Sequence, residues 1–172
     1  MVNILEDHVD VAIRIGELPD SSLRARRLGS IRRVACGSPA YFAACGAPKS
    51  PTELGTHDCI TFEGMVSPEA WTFAIGKSDA SIPIHSRLIV NTAEAATDAA
   101  IAGVGVTRVL SYKAAAAVRA GALAIVLQDF EVSPLPVNLV YPGQRLLPLK
   151  LRAFLDFAAP RLQARLSQDE VR

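Results

Sequence analysis

The chain has 172 residues and a mass of 18.3 kDa; half of it is hydrophobic and only 20% is charged, which excludes a disordered polypeptide and allows one domain or a pair of small lobes. A net charge of +1 and a pI near 7.8 exclude a protein held to nucleic acid by bulk positive charge, since such domains usually exceed a pI of about 9. No apolar run reaches the roughly 18 residues of a membrane helix, and the N-terminus lacks the basic and apolar regions of a secretory signal. Cys36, Cys45 and Cys59 are odd in number and fit neither a CxxC nor a zinc-ribbon spacing. They read as free buried thiols in a reducing compartment, so the expected location is cytoplasmic.

In chain order, Val9 to Gly16 is the first clear element, with apolar residues at 9, 11, 12, 13 and 15. Such a nearly continuous run predicts a strand covered on both faces, as in a parallel α/β sheet. A parallel strand needs a preceding crossover, so the chain reads as starting mid-domain. A turn-rich loop follows, then predicted strands at Leu23–Leu28 and Arg32–Cys36, separated by Gly29 and Ser30. Ser38 and Pro39 signal the start of a helix that Gly46 closes. Ser50-Pro51-Thr52-Glu53 reads as a capping box opening a short helix that ends at Gly55. Cys59–Phe62 and Trp71–Ile75 read as short strands, with a turn over residues 76–79, and Ile82–Val90 as one longer strand. Asn91 is the expected cap of a helix with Glu94 three residues on, closed by Gly103. Val104–Leu110 reads as a strand, and Ser111 as the cap of a second helix running to Gly121. Leu123–Leu127 is a strand, Ser133–Pro136 a linker and Val137–Tyr141 a strand. Pro148 opens the last helix, with Leu149, Leu151, Phe154, Leu155 and Ala158 at helical spacing. Strands alternate with helices, so the class is α/β.

Signals for catalysis are weak. His8, His57 and His85 are isolated, without metal-ligand spacing, and no nucleophile elbow or phosphate loop is present. Gly103-Val-Gly105 follows a helix rather than a strand and lacks the third glycine of a dinucleotide fingerprint. Cys36 has no histidine at motif distance. The run Arg24, Arg26, Arg27, Arg32 and Arg33 lacks the interleaved aromatics or helix of a nucleic-acid surface, and reads as solvent-facing arginine paired with carboxylates. Strand ends carry more information. Arg14 and Gly16 lie where the first strand stops, where a guanidinium fork or freed N–H groups can hold a carboxylate; an internal ion pair is the other use of Arg14. Asn91 and Thr92 lie at a strand-to-helix junction, where N–H groups face outward; simple capping is the other reading there.

The residues in sequence then resemble a known family. Asp10-Val-Ala-Ile-Arg-Ile-Gly-Glu-Leu-Pro-Asp-Ser-Ser-Leu23 resembles a signature of the effector-binding domain of LysR-type transcriptional regulators. So do Ser38-Pro-Ala-Tyr-Phe with Gly46-Ala-Pro-Lys-Ser-Pro-Thr-Glu-Leu54 and His57-Asp-Cys-Ile60. Asn91-Thr-Ala-Glu-Ala, Ala102-Gly-Val-Gly-Val106, Leu135–Pro142 and Lys150–Phe157 follow in the family's order, over residues 6 to 162. The resemblance implies a type II periplasmic-binding-protein-like fold: two Rossmann-like lobes joined by two crossover strands, with an effector cleft between them. By that mapping residues 1–35 and 136–172 form an incomplete first lobe, and 36–135 the second. The implied effector contacts are Arg14, Ile15 and Gly16, then Asn91 and Thr92, then Gly105 and Val106, with Tyr141 flanking the hinge.

The implied function is sensing of a small anionic effector, with no cofactor, no metal and no catalysis. Self-association as a dimer or higher oligomer is expected, and DNA contact only through a helix-turn-helix that this chain lacks. A solute-binding protein of the same fold is the alternative, against which the missing signal and the reduced-looking cysteines count. An enzyme on a related two-lobe fold would require a reactive side chain poised in the cleft.

Overall fold

The computed structural model describes residues 9–18, 23–63, 69–143 and 147–168. Along the chain run β1 (Ala12–Ile15), β2 (Leu23–Ile31), β3 (Arg33–Gly37), α1 (Pro39–Cys45), a 3₁₀ turn (Pro51–Thr56), β4 (Asp58–Phe62), β5 (Ala70–Ile75), β6 (Ser78–Pro83) and β7 (His85–Val90). Then come α2 (Ala93–Ile101), β8 (Val106–Leu110), α3 (Ser111–Arg119), β9 (Ala124–Val126), a 3₁₀ turn (Gln128–Phe130), β10 (Leu135–Pro142) and α4 (Leu149–Gln168). The described residues divide into two compact units. One takes those up to Ile31 and from Pro134 on, and the other takes Arg32–Ser133.

In the first unit β10 is the middle strand, antiparallel to β1 on one side and to β2 on the other. Val137, Leu139 and Val140 bury its centre, and α4 covers the sheet with Leu151, Leu155, Ala158 and Ala159, an i, i+4, i+7, i+8 stripe. Two expectations are corrected here. β1 is neither parallel nor covered on both faces: the two-residue period puts Ile13 and Ile15 on an open face, 51% and 42% exposed, while Ala12 and Arg14 turn inward. In α4, Leu149 and Phe154 stay exposed because they fall off the buried stripe. β2 also runs through Gly29 and Ser30, and a Cβ at Gly29 would meet Leu166 of α4 at an ordinary 3.5 Å. The interruption falls at Arg32 instead.

The second unit holds a five-stranded sheet in the order β7-β4-β8-β3-β9. β4 is parallel to β7 and β8, and β3 is antiparallel to β8 and β9, so the sheet is mixed. β3 and β8 are buried almost throughout, and period-two alternation sends their side chains to two separate cores. One face carries Val34, Cys36, Ile60 and Val109 under Ala96 and Ala100 of α2 and Ala114 of α3. The other carries Ala35, Cys59 and Val106 under Tyr41, Leu54, Leu127 and the β5–β6 hairpin, which contributes Trp71, Phe73 and Ile82.

Local signals held unevenly. Ser38 caps α1 through its hydroxyl, which accepts from the Tyr41 N–H at 3.1 Å, and Gly46 closes the helix at φ +83°. The segment after Ser50 is a 3₁₀ turn, with the Glu53 carboxylate accepting from the Lys49 N–H (3.0 Å) and the Ser50 hydroxyl (3.1 Å). The long strand expected over Ile82–Val90 is two strands, β6 and β7. Pro83 cannot donate to a ladder, and the chain changes partner after it, from β5 to β4. β10 starts at Leu135, inside the expected linker.

Candidate functional site

In an open α/β sheet, ligands bind beyond the carboxyl ends of the parallel strands. In the second unit that edge is fixed by register: Phe62 of β4 lies beside Val90 of β7, and Cys59 at the other end of β4 lies beside Val106 of β8. Asn91 and Thr92 therefore sit at the carboxyl edge. The cap of α2 is Thr92, not Asn91: its hydroxyl accepts from the Ala95 N–H at 3.1 Å and its carbonyl from the Ala96 N–H at 3.1 Å. The N–H groups of Ala93 and Glu94 have no carbonyl within the helix to bind, which makes this helix start favourable to an anion. Glu94 partly occupies that field, since its carboxylate accepts from its own backbone N–H as well as from Lys113 of α3; the Lys113 bond first, and then the backbone one, hold its carboxyl below the usual range.

Gly105 and Val106 are not part of this edge. They stand at the amino end of β8, three residues along β4 from Phe62, or roughly 10 Å away. Val106 is fully buried in the core with Trp71 and Leu54, which leaves only its backbone for any ligand. Gly105 serves packing: a Cβ there would stand 2.2 Å from the Asp58 carbonyl oxygen.

Other groups do gather at the carboxyl edge, because antiparallel β3 begins there. Ser111 is the first residue of α3 rather than its cap. Its N–H donates to the Arg32 carbonyl at 2.8 Å, and its hydroxyl accepts from the Arg32 N–H at 3.3 Å. Arg32 Nη1 donates to both carboxylate oxygens of Glu131, at 3.1 and 3.0 Å. Glu131 follows the second 3₁₀ turn, which Leu127 opens from a left-handed conformation, φ 60°. Burial raises the Glu131 carboxyl above the ordinary range, and Arg32 acts against that. Near this pair lies Arg108 of β8, only 6% exposed, its guanidinium 5.0 Å from the centre of the Phe73 ring. Burial first, and then the neighbouring charge of Arg33, push Arg108 down to about 10, with Glu131 opposing. Among the described residues, the buried side-chain polar atoms without a partner are Arg108 Nε and Trp71 Nε1. Sequence reading passed over Arg108; the available signal was one arginine inside the apolar run Val104–Leu110.

In the first unit, Arg14, Ile15 and Gly16 do lie together at the carboxyl end of β1. Arg14 stands opposite Asn138 and Ile15 opposite Val137, and the Gly16 N–H donates to the Pro136 carbonyl at 2.9 Å. Gly16 then leaves the ladder at φ +107°, a conformation glycine tolerates. Tyr141 is not with them. It pairs with Arg24 five residues beyond Pro136 along β10, roughly 17 Å away. The chain enters the unit at Pro134, so Tyr141 also lies at the end of β10 remote from that entry rather than flanking it.

The remaining candidates have structural roles. His57 is buried, with Nδ1 3.1 Å from the Tyr41 hydroxyl, which also accepts from the Asp58 N–H at 3.0 Å. His85 is exposed, and His8 lies outside the described residues. Cys36 and Cys59 are free and buried, each pushed up to about 12 by burial, whereas Cys45 is exposed, which corrects the expectation of three buried thiols. The arginine run pairs in part as expected: besides Arg32 with Glu131, Arg26 lies 3.5 Å from Asp156. Among the described residues no three His, Cys, Asp or Glu side chains gather to hold a metal, and no helix is long and apolar enough to cross a membrane.

A family model described as the LysR substrate binding domain matches residues 1–163. The chain is 33% identical over 164 residues to the uncharacterized HTH-type transcriptional regulator YhjC of Escherichia coli K12, covering 92% of this chain and 54% of that protein. It is 31% identical over 162 residues to the HTH-type transcriptional regulator CrgA of Neisseria meningitidis, covering 94% and 54%. The chain thus spans about half the length of the curated relatives it matches. Among solved structures it is similar to the regulatory domain of CrgA, with a TM-score of 0.77 and 31% identity over 92% of this chain and 78% of that one. The regulatory domain of AphB from Vibrio vulnificus superposes with a TM-score of 0.77 and 26% identity over 91% and 77%.

Proposed function

The chain belongs to the LysR substrate-binding domain family, the effector-binding regulatory domains of LysR-type transcriptional regulators, and on that footing we propose that it senses a small organic anion and neither transports nor transforms it. The fold is the periplasmic-binding-protein-like fold of those domains, and the relatives are regulators rather than solute-binding proteins. The observation that carries the anionic character is the carboxyl edge of the second unit. The start of α2 at Thr92 lies at the same edge as Arg32, which pairs with Glu131, and the charges of Arg33 and Glu131 both act on the buried Arg108. By the family resemblance, Arg14 and Gly16 of the first unit are further candidate contacts.

Binding acts by population shift: an anion that favours one conformation of the regulatory domain raises that conformation's share. In a polypeptide as long as the relatives, this change is read by a DNA-binding segment and by self-association into dimers or larger assemblies. The relatives are regulators rather than enzymes, and the bound molecule is read as leaving as it arrived.

Calorimetry of the chain against aromatic acids, amino acids and other small metabolites tests the reading. Arg14→Ala and Asn91→Asp each weaken binding about tenfold, the loss of one charge-assisted contact or the gain of one repulsive charge. Unchanged affinity in both variants overturns the site.

A further inference from the structure

Arg108 is an unusual residue for its place. It sits in the middle of β8 with fully buried neighbours on either side, Thr107 and Val109, and its own side chain lies against Phe73. A buried charge is normally matched by a carboxylate or by hydrogen bonds. Among the described residues no carboxylate lies within ion-pair distance of Arg108, and its Nε has no acceptor. Glu131, the nearby carboxylate, directs both oxygens to Arg32. A second orphaned donor, Trp71 Nε1, lies in the same core layer, on the strand that also supplies Phe73. Arg108 Nε, a buried donor without an acceptor under the added charge of Arg33, describes a position that lacks an anionic acceptor.

We propose that Arg108 anchors the carboxylate of the effector, a role that rests on the effector-sensing reading above and names the residue that selects charge. The guanidinium is planar and presents Nε and one Nη on a single side, the geometry that takes both oxygens of a carboxylate. The Arg108 Cζ lies over the Phe73 ring, 5.0 Å from its centre, a contact that helps hold the guanidinium in place. A neutral amide of the same shape offers one oxygen and two further donors, so it meets the orphaned N–H groups poorly. The site therefore discriminates acid from amide.

The test uses the intact chain and succinate as probe, with succinamide as its uncharged counterpart at matched ionic strength. Nitrogen–proton correlation spectra report the Nε–H of Arg108, assigned by its disappearance in Arg108→Lys. The proposal expects this resonance to move saturably with succinate and to stay still with succinamide. Arg108→Gln weakens succinate binding about 10- to 100-fold, the loss of a charged, two-point contact, and Arg108→Lys falls between because it keeps the charge without the fork. An Arg108 resonance that stays still at saturating succinate, or that chloride moves equally, overturns the proposal. So does an Arg108→Gln variant that binds within twofold of the parent. If metabolites shift Asn91 and Thr92 while Arg108 stays still, effector sensing stands and the Arg108 anchor falls; if no small molecule shifts any residue, effector sensing itself falls.

Discussion

Replacing Arg108 by methionine should make the second unit more stable, contrary to the usual effect of a buried substitution. Burial, with Arg33 adding to it, takes the guanidinium from its ordinary value down to about 10 in the folded chain. That difference corresponds to roughly 3 kcal/mol by which the folded surroundings disfavour the charged form. Methionine keeps an unbranched apolar stem and removes both the charge and the orphaned Nε–H. It forfeits the contact over Phe73, worth about 1–2 kcal/mol. The net expectation is a gain of about 1–2 kcal/mol. Because the folded value lies below the unfolded one, the penalty is present in full at every pH below about 10 and fades only as the pH rises toward the unfolded guanidinium's value, so it acts in full at pH 7. Trp71 is the single tryptophan and is buried in the same unit, so its fluorescence in urea follows the relevant transition. With a slope of about 2 kcal/mol per molar urea, the midpoint rises by roughly 0.5–1 M at unchanged slope. A midpoint that falls by about 0.5 M or more would refute the reasoning, because it would mean that the folded chain satisfies the guanidinium.

Three further outcomes follow from the same geometry. Gly105→Ala puts a methyl group 2.2 Å from the Asp58 carbonyl oxygen, so backbone must shift and the chain loses about 2 kcal/mol or more in urea unfolding. Thr92→Ala removes the hydroxyl that accepts from the Ala95 N–H and costs about 1 kcal/mol, while Asn91→Ala changes stability by less than about 0.5 kcal/mol; the reverse order would restore Asn91 as the cap. In the native chain a disulfide reagent near neutral pH titrates Cys45 quickly and leaves Cys36 and Cys59, both buried and raised to about 12, until urea is added.

Much of the fold was legible because local chemistry is loud there. Ser38 with Pro39, Gly46, Gly103 and Gly121 mark helix ends that the structure places within a residue or two. The ordered fragments from Asp10 to Phe157 carried the family. What misled were positions where a distant partner decides. Ser111 looks like a cap, but its hydroxyl accepts from Arg32, 79 residues away. Ile82–Val90 alternates as one strand, but Pro83 and two separate partners divide it. The isoleucines of β1 suggested coverage on both faces, yet no local pattern says which face a sheet presents to its core.

The candidate site was half legible for the same reason. Arg14, Gly16 and Asn91 lie at strand ends, which sequence can locate, and Thr92 follows directly. Gly105 and Val106 lie at the opposite edge from Asn91 because an α2 crossover returns the chain to the amino end of the sheet before β8 begins. Tyr141 lies far along β10 from Pro136 because the direction of β10 depends on where the chain enters the unit. Arg32 with Glu131, 99 residues apart, and Arg108 under Phe73 had no local signal of their partners.

The most direct test of effector sensing at the carboxyl edge is a backbone amide titration of the labelled chain with a binding metabolite found by calorimetry. Shifts concentrated at Asn91, Thr92 and Ser111, with Gly105 unmoved, are the predicted result. Shifts centred on Gly103 to Gly105 at the amino edge, or binding that leaves all three carboxyl-edge residues unmoved, would contradict it.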